Sequence, residues 1–309
     1  MKAVRIRSFG GPEVMHFEDI PIPVPEPDEI LVRVCAASIN PVDYKTREGK
    51  YPAVARDALP VTLGRDISGL VAACGPEVRS FRSGDAIYAM LPPDQGGFAE
   101  FVRVKAEHAA AKPLSLSHIE AAAVPLAALT ALQGLFDYGG IAKAQRVLIH
   151  GGAGGVGHFA IQLAKIAGAT VFATVSADDR AFVRELGADV AIDYHSERFE
   201  DVVHDMDLVF DLIGGETQER SWPVLKQGGI LVSTLGQPPQ EKAAQYRVRA
   251  IGYQARPNGE ELAEIAALVD THRVKPIIAA TFPFAAVSDA EEVQEKTHPR
   301  GKIVLEFAA

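Results

Sequence analysis

Cysteine is scarce in this chain of 309 residues, which contains only Cys35 and Cys74. Two cysteines cannot form a four-cysteine zinc site or a disulfide framework, and we expect both thiols to pack as small apolar groups. The first residues lack the long apolar segment of a signal peptide, and apolar stretches such as 147–149 are far too short to span a bilayer. We therefore expect a protein of the reducing cytoplasm that has no membrane span.

Positive charge is in the minority. Lysine and arginine number 31 against 40 aspartate and glutamate residues, which gives a formal net charge of −9. This balance favours solubility and argues against bulk nucleic-acid binding. An anionic cofactor would therefore need local capture by backbone N–H groups and a few cations.

The first 110 or so residues are rich in predicted strands. Residues Val4–Arg7 and Glu29–Val34 alternate, and a proline-rich connection over Pro21–Pro27 separates them. Many short strands punctuated by glycine and proline predict a barrel or a sandwich. The further strand candidates in this part are Gly69–Ala73, Asp85–Ala89 and Phe98–Val104.

From Arg146 to about Gln254 the pattern alternates between apolar strands and helices, which predicts an α/β fold with a doubly wound parallel sheet. The strand candidates are Arg146–His150, Thr170–Val175, Val190–Ile192, Leu208–Leu212, Gly229–Thr234 and Val248–Gly252. The helix candidates are Val156–Ala167, Asp179–Leu186 and Gln218–Leu225.

The boundaries of this second domain are set by a change of pattern at each end. Ser117 and Glu120 fit a capping box that opens an alanine-rich helical stretch. The tail after Pro257 is too small to bury a core of its own, so we expect it to pack on the first domain. The predicted domains are residues 1–118 with 257–309, and residues 119–256.

The strongest local signal is a glycine loop. Gly152, Gly154 and Gly157 satisfy G-x-G-x-x-G between a predicted strand and a predicted helix, which is the context required for dinucleotide binding. Gly152 allows a tight turn, Gly154 admits a pyrophosphate and Gly157 allows close helix–strand packing. The intervening backbone at Gly155 and Val156 then offers N–H groups to the phosphates.

The end of the next strand distinguishes the two nicotinamide cofactors. An NAD site usually has a carboxylate there, about 20 residues after the motif, whereas this chain has Thr174 and then Ser176. A hydroxyl can donate to a 2′-phosphate, and Arg180 lies one helical turn further on. NADP(H) is therefore the predicted cofactor. Against this, Ser176 can equally cap the next helix, Arg180 can be a solvated charge, and Asp178 and Asp179 lie close by.

Taken together, the motifs resemble the medium-chain dehydrogenase/reductase superfamily, and within it the zinc-free, zeta-crystallin-like quinone oxidoreductase branch. The resemblance covers essentially the whole chain, and the order and spacing of its motifs are specific. They are Phe9–Val14, Ser38–Asp43, Gly64–Val71, Phe81–Asp85, Gly97–Phe101, Leu129–Ala131, the glycine loop, Phe210–Gly215 and Arg300–Leu305.

The resemblance implies a GroES-like catalytic domain, a Rossmann domain and a homodimer. It also bears on zinc, because alcohol dehydrogenases of the superfamily have a Cys where this chain has Asn40 and a His-Glu pair where it has Arg65 and Asp66. Neither Asn40 nor Arg65 suits a zinc site, so no catalytic metal is expected.

Without a Lewis acid to stabilise an alkoxide, hydride transfer favours an acceptor that is already electron-poor. The predicted function is NADPH-dependent reduction of quinones or α,β-unsaturated carbonyls, and one-electron quinone reduction stays open. Reduction of 2-enoyl thioesters is an alternative. A second alternative is a protein that binds NADPH for a structural or regulatory purpose without catalysis.

On the acceptor side, related enoyl-thioester reductases have a tyrosine shortly after the Asn-Pro-x-Asp motif, and Tyr51 matches its position. Tyr51 is either a proton donor or a packing residue; Tyr44 is the next candidate, with a structural role preferred for it. Asn40 resembles the family's cleft asparagine, with a structural asparagine as the alternative. Asp66 and Arg65 are expected to form an ion pair.

On the cofactor side, Thr130 resembles the nicotinamide-side threonine of the family and Tyr194 the residue beside adenosine. Lys302 resembles a lysine near the cofactor, with an exposed strand lysine as the alternative. Ile213, Leu235 and Gly236 follow later strand ends, where ligands gather in open α/β sheets. The full set of cofactor candidates is Thr130, Gly152, Gly154, Gly155, Val156, Gly157, Thr174, Ser176, Arg180, Tyr194, Ile213, Leu235, Gly236 and Lys302.

Overall fold

A computed structural model describes residues 1–308. Its sixteen strands are β1 (Lys2–Ile6), β2 (Met15–Asp19), β3 (Glu29–Ile39), β4 (Val61–Thr62), β5 (Asp66–Cys74), β6 (Ala86–Met90), β7 (Phe101–Lys105), β8 (Ala109–Ala111), β9 (Arg146–His150), β10 (Thr170–Val175), β11 (Val190–Asp193), β12 (Met206–Asp211), β13 (Leu225–Ser233), β14 (Arg249–Gly252), β15 (Ile278–Pro283) and β16 (Lys302–Glu306). Its ten α-helices are α1 (Pro41–Arg47), α2 (His118–Ala122), α3 (Pro125–Leu132), α4 (Gly157–Ile166), α5 (Arg180–Glu185), α6 (Phe199–Val202), α7 (Gly215–Ser221), α8 (Gln240–Tyr246), α9 (Gly259–Asp270) and α10 (Val287–Lys296).

The chain divides into two compact units. The first comprises Met1–Leu129 and the stretch that begins at Arg256, and the second is Thr130–Ala255. The first boundary thus falls at 129/130 rather than at the expected 118/119. The reason is that α2 packs on β3 and β5, and the backbone N–H of Leu126 donates to Asp66 Oδ1 at 2.6 Å. These contacts hold residues 119–129 in the first unit.

The first unit is built on a seven-stranded, mostly antiparallel sheet. Its order is β15-β16-β3-β5-β6-β8, and β7 also pairs with β3. A smaller sheet has the order β2-β1-β4. Strand β16 runs antiparallel to β3, so that Ile303 lies opposite Ile39 and Leu305 opposite Ala37. Apolar side chains from both ends of the sequence therefore share one core.

The second unit contains a six-stranded parallel sheet of order β11-β10-β9-β12-β13-β14. Numbered within the unit, this is the 3-2-1-4-5-6 order of a doubly wound dinucleotide-binding fold. The predicted α/β fold class is confirmed. Strands β9 and β10 have the predicted bounds, because both are short apolar runs between clear turn signals.

One predicted helix differs from the structure. The sequence suggested Gln218–Leu225, whereas α7 ends at Ser221 and a 3-10 turn follows over Trp222–Val224. Pro223 lacks a backbone N–H and cannot continue an α-helix. Trp222 is fully buried in the core of this unit.

Across residues 1–308, no helix combines the length and apolarity that a membrane crossing requires.

Candidate active site

The glycine loop of the second unit has little room at two of its glycines. A Cβ added to Gly157 would lie 2.2 Å from the carbonyl oxygen of Gly151, and one added to Gly152 would lie 2.9 Å from Cβ of Ala173. At Gly154 the nearest atom to such a Cβ is Gly151 O at 3.4 Å. The loop is therefore tight where it packs on the sheet and open at Gly154, as a pyrophosphate-binding turn requires.

A buried histidine that the sequence did not indicate lies beneath this loop. Ser221 Oγ donates to the carbonyl of Thr217 at 2.7 Å, so it accepts from His150 Nε2 at 2.9 Å. Nε2 then carries the proton of the neutral ring, and Nδ1 accepts from Thr174 Oγ1 at 3.1 Å. Thr174 Oγ1 in turn accepts from the N–H of Gly151 at 3.3 Å. A chain of hydrogen bonds thus connects α7 with the start of the loop.

This network changes the interpretation of Thr174. The sequence placed it among the residues that touch the cofactor, but it is buried and both its hydroxyl and its carbonyl serve the loop, since Gly152 N–H donates to its carbonyl at 3.0 Å. Thr174 therefore stabilises the conformation of the glycine loop through its hydroxyl and its carbonyl. A lone histidine at the end of a predicted strand gives no local signal from which this arrangement could have been inferred.

The histidine network predicts that the stability of the second unit depends on pH. Burial lowers the pKa of His150 to about 4. In the unfolded chain a histidine titrates near pH 6.5, so between these values the unfolded state binds a proton that the native state does not. The free energy of unfolding should fall as the pH drops from about 6.5 to about 4, by about 3 kcal/mol in total.

Fluorescence of Trp222, the single tryptophan of the chain, can follow this unfolding in urea at several pH values. His150→Gln should flatten the pH dependence, whereas substitution of the exposed His204 by Gln should leave it unchanged. Equal pH dependence in wild type and His150→Gln would contradict the interpretation.

The residues predicted for the 2′-phosphate both have carboxylate partners within the unit. Ser176 Oγ donates to Asp179 Oδ2 at 2.8 Å, and the Arg180 guanidinium forms an ion pair with Glu197. Ser176 also occupies the N-cap position of the 3-10 turn Ala177–Asp179, but its side chain makes no capping hydrogen bond there. Both side chains lie just after the carboxyl end of β10. To bind a phosphate there, Ser176 and Arg180 would have to release their present contacts with Asp179 and Glu197.

Large apolar side chains are exposed at the carboxyl ends of the next three strands. Tyr194, Ile213 and Leu235 follow β11, β12 and β13 and are 52%, 54% and 44% exposed. Ile213 borders the glycine loop, since its Cδ1 lies 3.0 Å from the position of a Cβ on Gly151. Gly236 has φ +112 and open space beside it. The carboxyl edge of the sheet thus offers apolar surface of the kind that ligands of open α/β sheets use.

Asp211, at the end of β12, holds the loop that carries Ile213. Its Oδ1 accepts from the N–H groups of Ile213 at 3.1 Å and of Gly214 at 2.8 Å. Its Oδ2 accepts from Gln218 Nε2 at 2.7 Å and from Ser233 Oγ at 3.0 Å. The sequence assigned Asp211 no role. With four donors satisfied, this buried carboxylate fixes the strand end beside the glycine loop.

Thr130 is anchored through its backbone. Its carbonyl accepts a hydrogen bond from the hydroxyl of Tyr253 at 2.5 Å, and both residues are buried within the second unit. Burial raises the pKa of Tyr253, which keeps the phenol protonated as a donor. The role predicted for Thr130, contact with the nicotinamide, stays a prediction.

In the first unit, Asn40 belongs to a buried polar network. Its Nδ2 donates to Asp66 Oδ2 at 2.8 Å and to the carbonyl of Ser38 at 3.3 Å, while its Oδ1 accepts from Lys302 Nζ. Lys302 also donates to the carbonyl of Ile39 at 2.9 Å and lies 3.5 Å from Asp66 Oδ2. Both amide protons of Asn40 are engaged, so only an acceptor lone pair remains for a ligand.

Lys302 is therefore neither an exposed strand lysine nor a residue whose ammonium is free for a cofactor. It is 3% exposed and has three oxygen partners. Burial lowers its pKa, and the nearby carboxylates of Asp66 and Asp43 oppose that shift. The geometry makes Lys302 a residue that holds Asn40 in place.

The donor set around Asn40 does not fit zinc. Asn40 stands where zinc-dependent members of the superfamily have a Cys, and its amide is engaged as a donor. Arg65 stands where they have a His, and a guanidinium is not a zinc ligand. Within residues 1–308 there is no group of three or more His, Cys, Asp or Glu side chains that could hold a metal ion.

Arg65 does not form the expected ion pair with Asp66, which interacts with Lys302 instead. Successive residues of extended backbone point to opposite faces, so Arg65 and Asp66 diverge at the start of β5. Arg65 Nε donates to the carbonyl of Leu91 at 2.6 Å, and Nη1 donates to Tyr51 Oη at 3.3 Å. Its guanidinium carbon lies 5.9 Å from the centre of the Tyr51 ring.

Tyr51 and Arg65 line a small recess in the first unit, whose accessible volume is only about 10 Å³. Asp43, whose pKa is raised well above its usual range by burial, also lines it. The other lining residues are Thr46, Val61, Thr62, Leu63, Gly64, Pro93 and Gln95.

Comparison with known proteins agrees with this architecture. A family model described as "Alcohol dehydrogenase GroES-like domain" matches residues 26–114, and one described as "Zinc-binding dehydrogenase" matches residues 186–305. The chain is 37% identical over 352 residues to NAD(P)H oxidoreductase RTN4IP1, mitochondrial, of Mus musculus, with 99% of this chain and 89% of that protein covered. It is 36% identical over 319 residues to NADPH-dependent alkenal/one oxidoreductase, chloroplastic, of Arabidopsis thaliana, with 99% and 79% covered.

Solved structures give the same result. The quinone oxidoreductase of Coxiella burnetii has a TM-score of 0.93 at 38% identity, with 100% of this chain and 99% of that chain covered. Escherichia coli quinone oxidoreductase complexed with NADPH has a TM-score of 0.89 at 26% identity, with 99% and 100% covered.

A parallel-sheet unit with an open glycine loop, joined to a GroES-like unit, defines an oxidoreductase that uses a nicotinamide dinucleotide. The sequence relatives are similar over almost the entire chain, so the similarity is not confined to one unit. The chain belongs to the quinone oxidoreductase-like branch of the medium-chain dehydrogenase/reductase superfamily, and the predicted family is confirmed.

Proposed function

We propose that this protein is an NADPH-dependent reductase of α,β-unsaturated carbonyls and quinones. Its cofactor is NADP(H), in agreement with the names of relatives that contain NADPH or NAD(P)H. The observation that carries the acceptor side is the Tyr51 hydroxyl, which borders a small recess and accepts a hydrogen bond from the guanidinium of Arg65 at 3.3 Å. A phenol placed in this way can donate to a carbonyl oxygen.

When bound, NADPH would supply a hydride ion, which carries two electrons, to the β-carbon of the acceptor. The C=C electrons of the acceptor then move toward its carbonyl oxygen, which becomes negatively charged. The Tyr51 hydroxyl donates a hydrogen bond to that oxygen, and a proton completes the α-carbon, so NADPH, the unsaturated carbonyl and one proton give NADP⁺ and the saturated carbonyl. For a quinone the same two electrons and two protons give the hydroquinone.

The residues of the second unit fit the cofactor. The open backbone at Gly154 suits a pyrophosphate, and the apolar side chains of Ile213 and Leu235 suit the rings of a dinucleotide. Ser176, in the place of a carboxylate, suits a 2′-phosphate once it leaves Asp179. For the whole protein we also propose a cytoplasmic homodimer, for which the sequence and the family resemblance are the support.

The test is the rate of NADPH consumption with alkenals, cyclohexenone, benzoquinone and an enoyl-CoA. We expect turnover of the unsaturated carbonyls and of the quinone, and a fall in kcat on cyclohexenone of about 100-fold in Tyr51→Phe, the order of magnitude of a lost general acid. Tyr44→Phe is the matched control and should retain the wild-type rate.

The outcomes separate the alternatives. Preference for the enoyl-CoA would favour 2-enoyl thioester reduction, and one structural neighbour, at 26% identity and a TM-score of 0.90, is an enoyl reductase. NADPH binding without turnover of any acceptor would refute every enzymatic version and support a structural or regulatory NADPH-binding protein. Absence of NADPH binding would refute the cofactor as well.

A further inference from the structure

Arg65 is a buried cation whose position is fixed from two sides. Arg65 is only 7% exposed. The Nε–H donates to the carbonyl of Leu91 at 2.6 Å, which orients the guanidinium plane. Nη1 donates to Tyr51 Oη at 3.3 Å. Because a guanidinium is rigid and planar, the first hydrogen bond determines where the second one points.

This geometry also determines the role of the phenol oxygen. A guanidinium has only donors, so Tyr51 Oη accepts in its contact with Arg65, and the proton of the phenol is directed to a different acceptor. The cation lies near the ring as well, 5.9 Å from its centre, which adds an attraction between the charge and the aromatic face. Arg65 therefore restricts both the position of the Tyr51 ring and the direction of its O–H bond.

The charge of Arg65 is not cancelled by the carboxylate beside it in sequence. Asp66 interacts with Lys302 and accepts from Asn40 and Ser38, on the other side of the strand. The contacts of Arg65 are instead the neutral carbonyl of Leu91 and the neutral phenol. Because no carboxylate is bonded to it, Arg65 can strengthen the hydrogen bond that the Tyr51 hydroxyl donates to a developing negative charge.

We propose that Arg65 is a positioning residue for the reduction, which orients the Tyr51 hydroxyl toward the carbonyl oxygen of the acceptor and acts through that hydroxyl on the negative charge that forms there. This inference rests on the proposed function. It also defines the preferred substrate class, which is a ketone or aldehyde conjugated to a double bond. A quinone is intrinsically more electron-poor and depends less on such help, so the contribution of Arg65 should be larger for the unsaturated carbonyl.

The first test is a double-mutant cycle on kcat with Tyr51→Phe, Arg65→Gln and the double variant. With cyclohexenone we expect each single variant to lose about 100-fold, the order of magnitude of one lost oxyanion donor. The double variant should lose about as much as either single variant, because both substitutions remove the same hydrogen bond. With benzoquinone the losses should be at least about 10-fold smaller.

Two further variants separate orientation from charge and from folding. Arg65→Lys retains the positive charge, but a lysine lacks the planar guanidinium that donates to Leu91 and Tyr51 at the same time. We therefore expect its kcat to be close to that of Arg65→Gln. Arg79→Gln is the matched control, because Arg79 is an exposed arginine of the same unit that contacts only backbone carbonyls. It should match the wild type in both activity and thermal unfolding, and circular dichroism verifies that the Arg65 variants are folded.

The second test does not depend on turnover. Cyclohexanone, labelled isotopically at its carbonyl carbon, is added to the enzyme–NADP⁺ complex, and its carbonyl stretch is recorded by difference infrared spectroscopy. Hydrogen bonding in the wild type should shift the stretch below its value in water, and both Tyr51→Phe and Arg65→Gln should reverse the shift. Arg79→Gln should retain it.

Several results would overturn the inference while leaving the proposed function intact. They are wild-type turnover of cyclohexenone by a folded Arg65→Gln variant, additive losses in the cycle, full activity of Arg65→Lys, or an unchanged carbonyl stretch in Arg65→Gln. Failure of the proposed function is recognised separately, because in that case the wild-type protein itself reduces no acceptor.

Discussion

Gly157→Ala should raise the Kd for NADPH at least about 100-fold, equivalent to about 2.7 kcal/mol of binding free energy. The added Cβ would lie 2.2 Å from Gly151 O and 2.8 Å from the backbone of Gly152. These are backbone atoms, so the strand and helix must separate and the loop loses its shape. Overpacking should also lower the free energy of unfolding of the second unit by about 1–3 kcal/mol. NADPH fluorescence titration gives the Kd, and Trp222 fluorescence in urea gives the stability.

Gly154→Ala is the informative comparison, because the nearest atom to its new Cβ lies 3.4 Å away, at ordinary contact distance. It should unfold as wild type does and yet bind NADPH more weakly, since the methyl group obstructs only an incoming phosphate. If Gly157→Ala bound NADPH with the wild-type Kd, the assignment of this loop as the pyrophosphate site would be wrong.

Arg47→Met should lower the free energy of unfolding of the first unit by about 3–5 kcal/mol, the usual cost of removing one partner of a buried ion pair. Arg47 is 1% exposed and donates to Glu291 at 2.9 Å, to Glu295 at 2.9 Å and to the carbonyl of Gly10 at 3.0 Å. Glu291 is fully buried, and burial already raises its pKa. Without Arg47 its carboxylate would be buried with no countercharge.

Circular dichroism in urea, or hydrogen exchange of the first unit, would measure this loss. Adding Glu291→Gln to Arg47→Met should recover part of it by removing the buried charge. Lys2→Met is the control, because both partners of its ion pair with Asp19 are solvent-exposed, and it should cost less than about 1 kcal/mol. A stability of Arg47→Met within about 1 kcal/mol of wild type would show that the pair is not needed.

The sequence determined those features that depend on near neighbours. The capping box of Ser117 and Glu120 is present, with Glu120 N–H donating to Ser117 Oγ at 3.2 Å. The bounds of β9 and β10 were predicted without error, and so was the position of the glycine loop between β9 and α4. Each of these patterns is complete within a few residues, so it can be recognised before anything is known of the fold.

The partners of the buried polar groups were decided only by the tertiary structure. Lys302 meets Asn40 across 262 positions of the chain, and Ser221 meets His150 across 71. Arg65 was assigned to the adjacent Asp66 but bonds to Tyr51 and Leu91 instead. Periodicity fixes which face of an element is buried, but a buried polar side chain is satisfied by whatever the packing of distant strands brings near, and that information is not local.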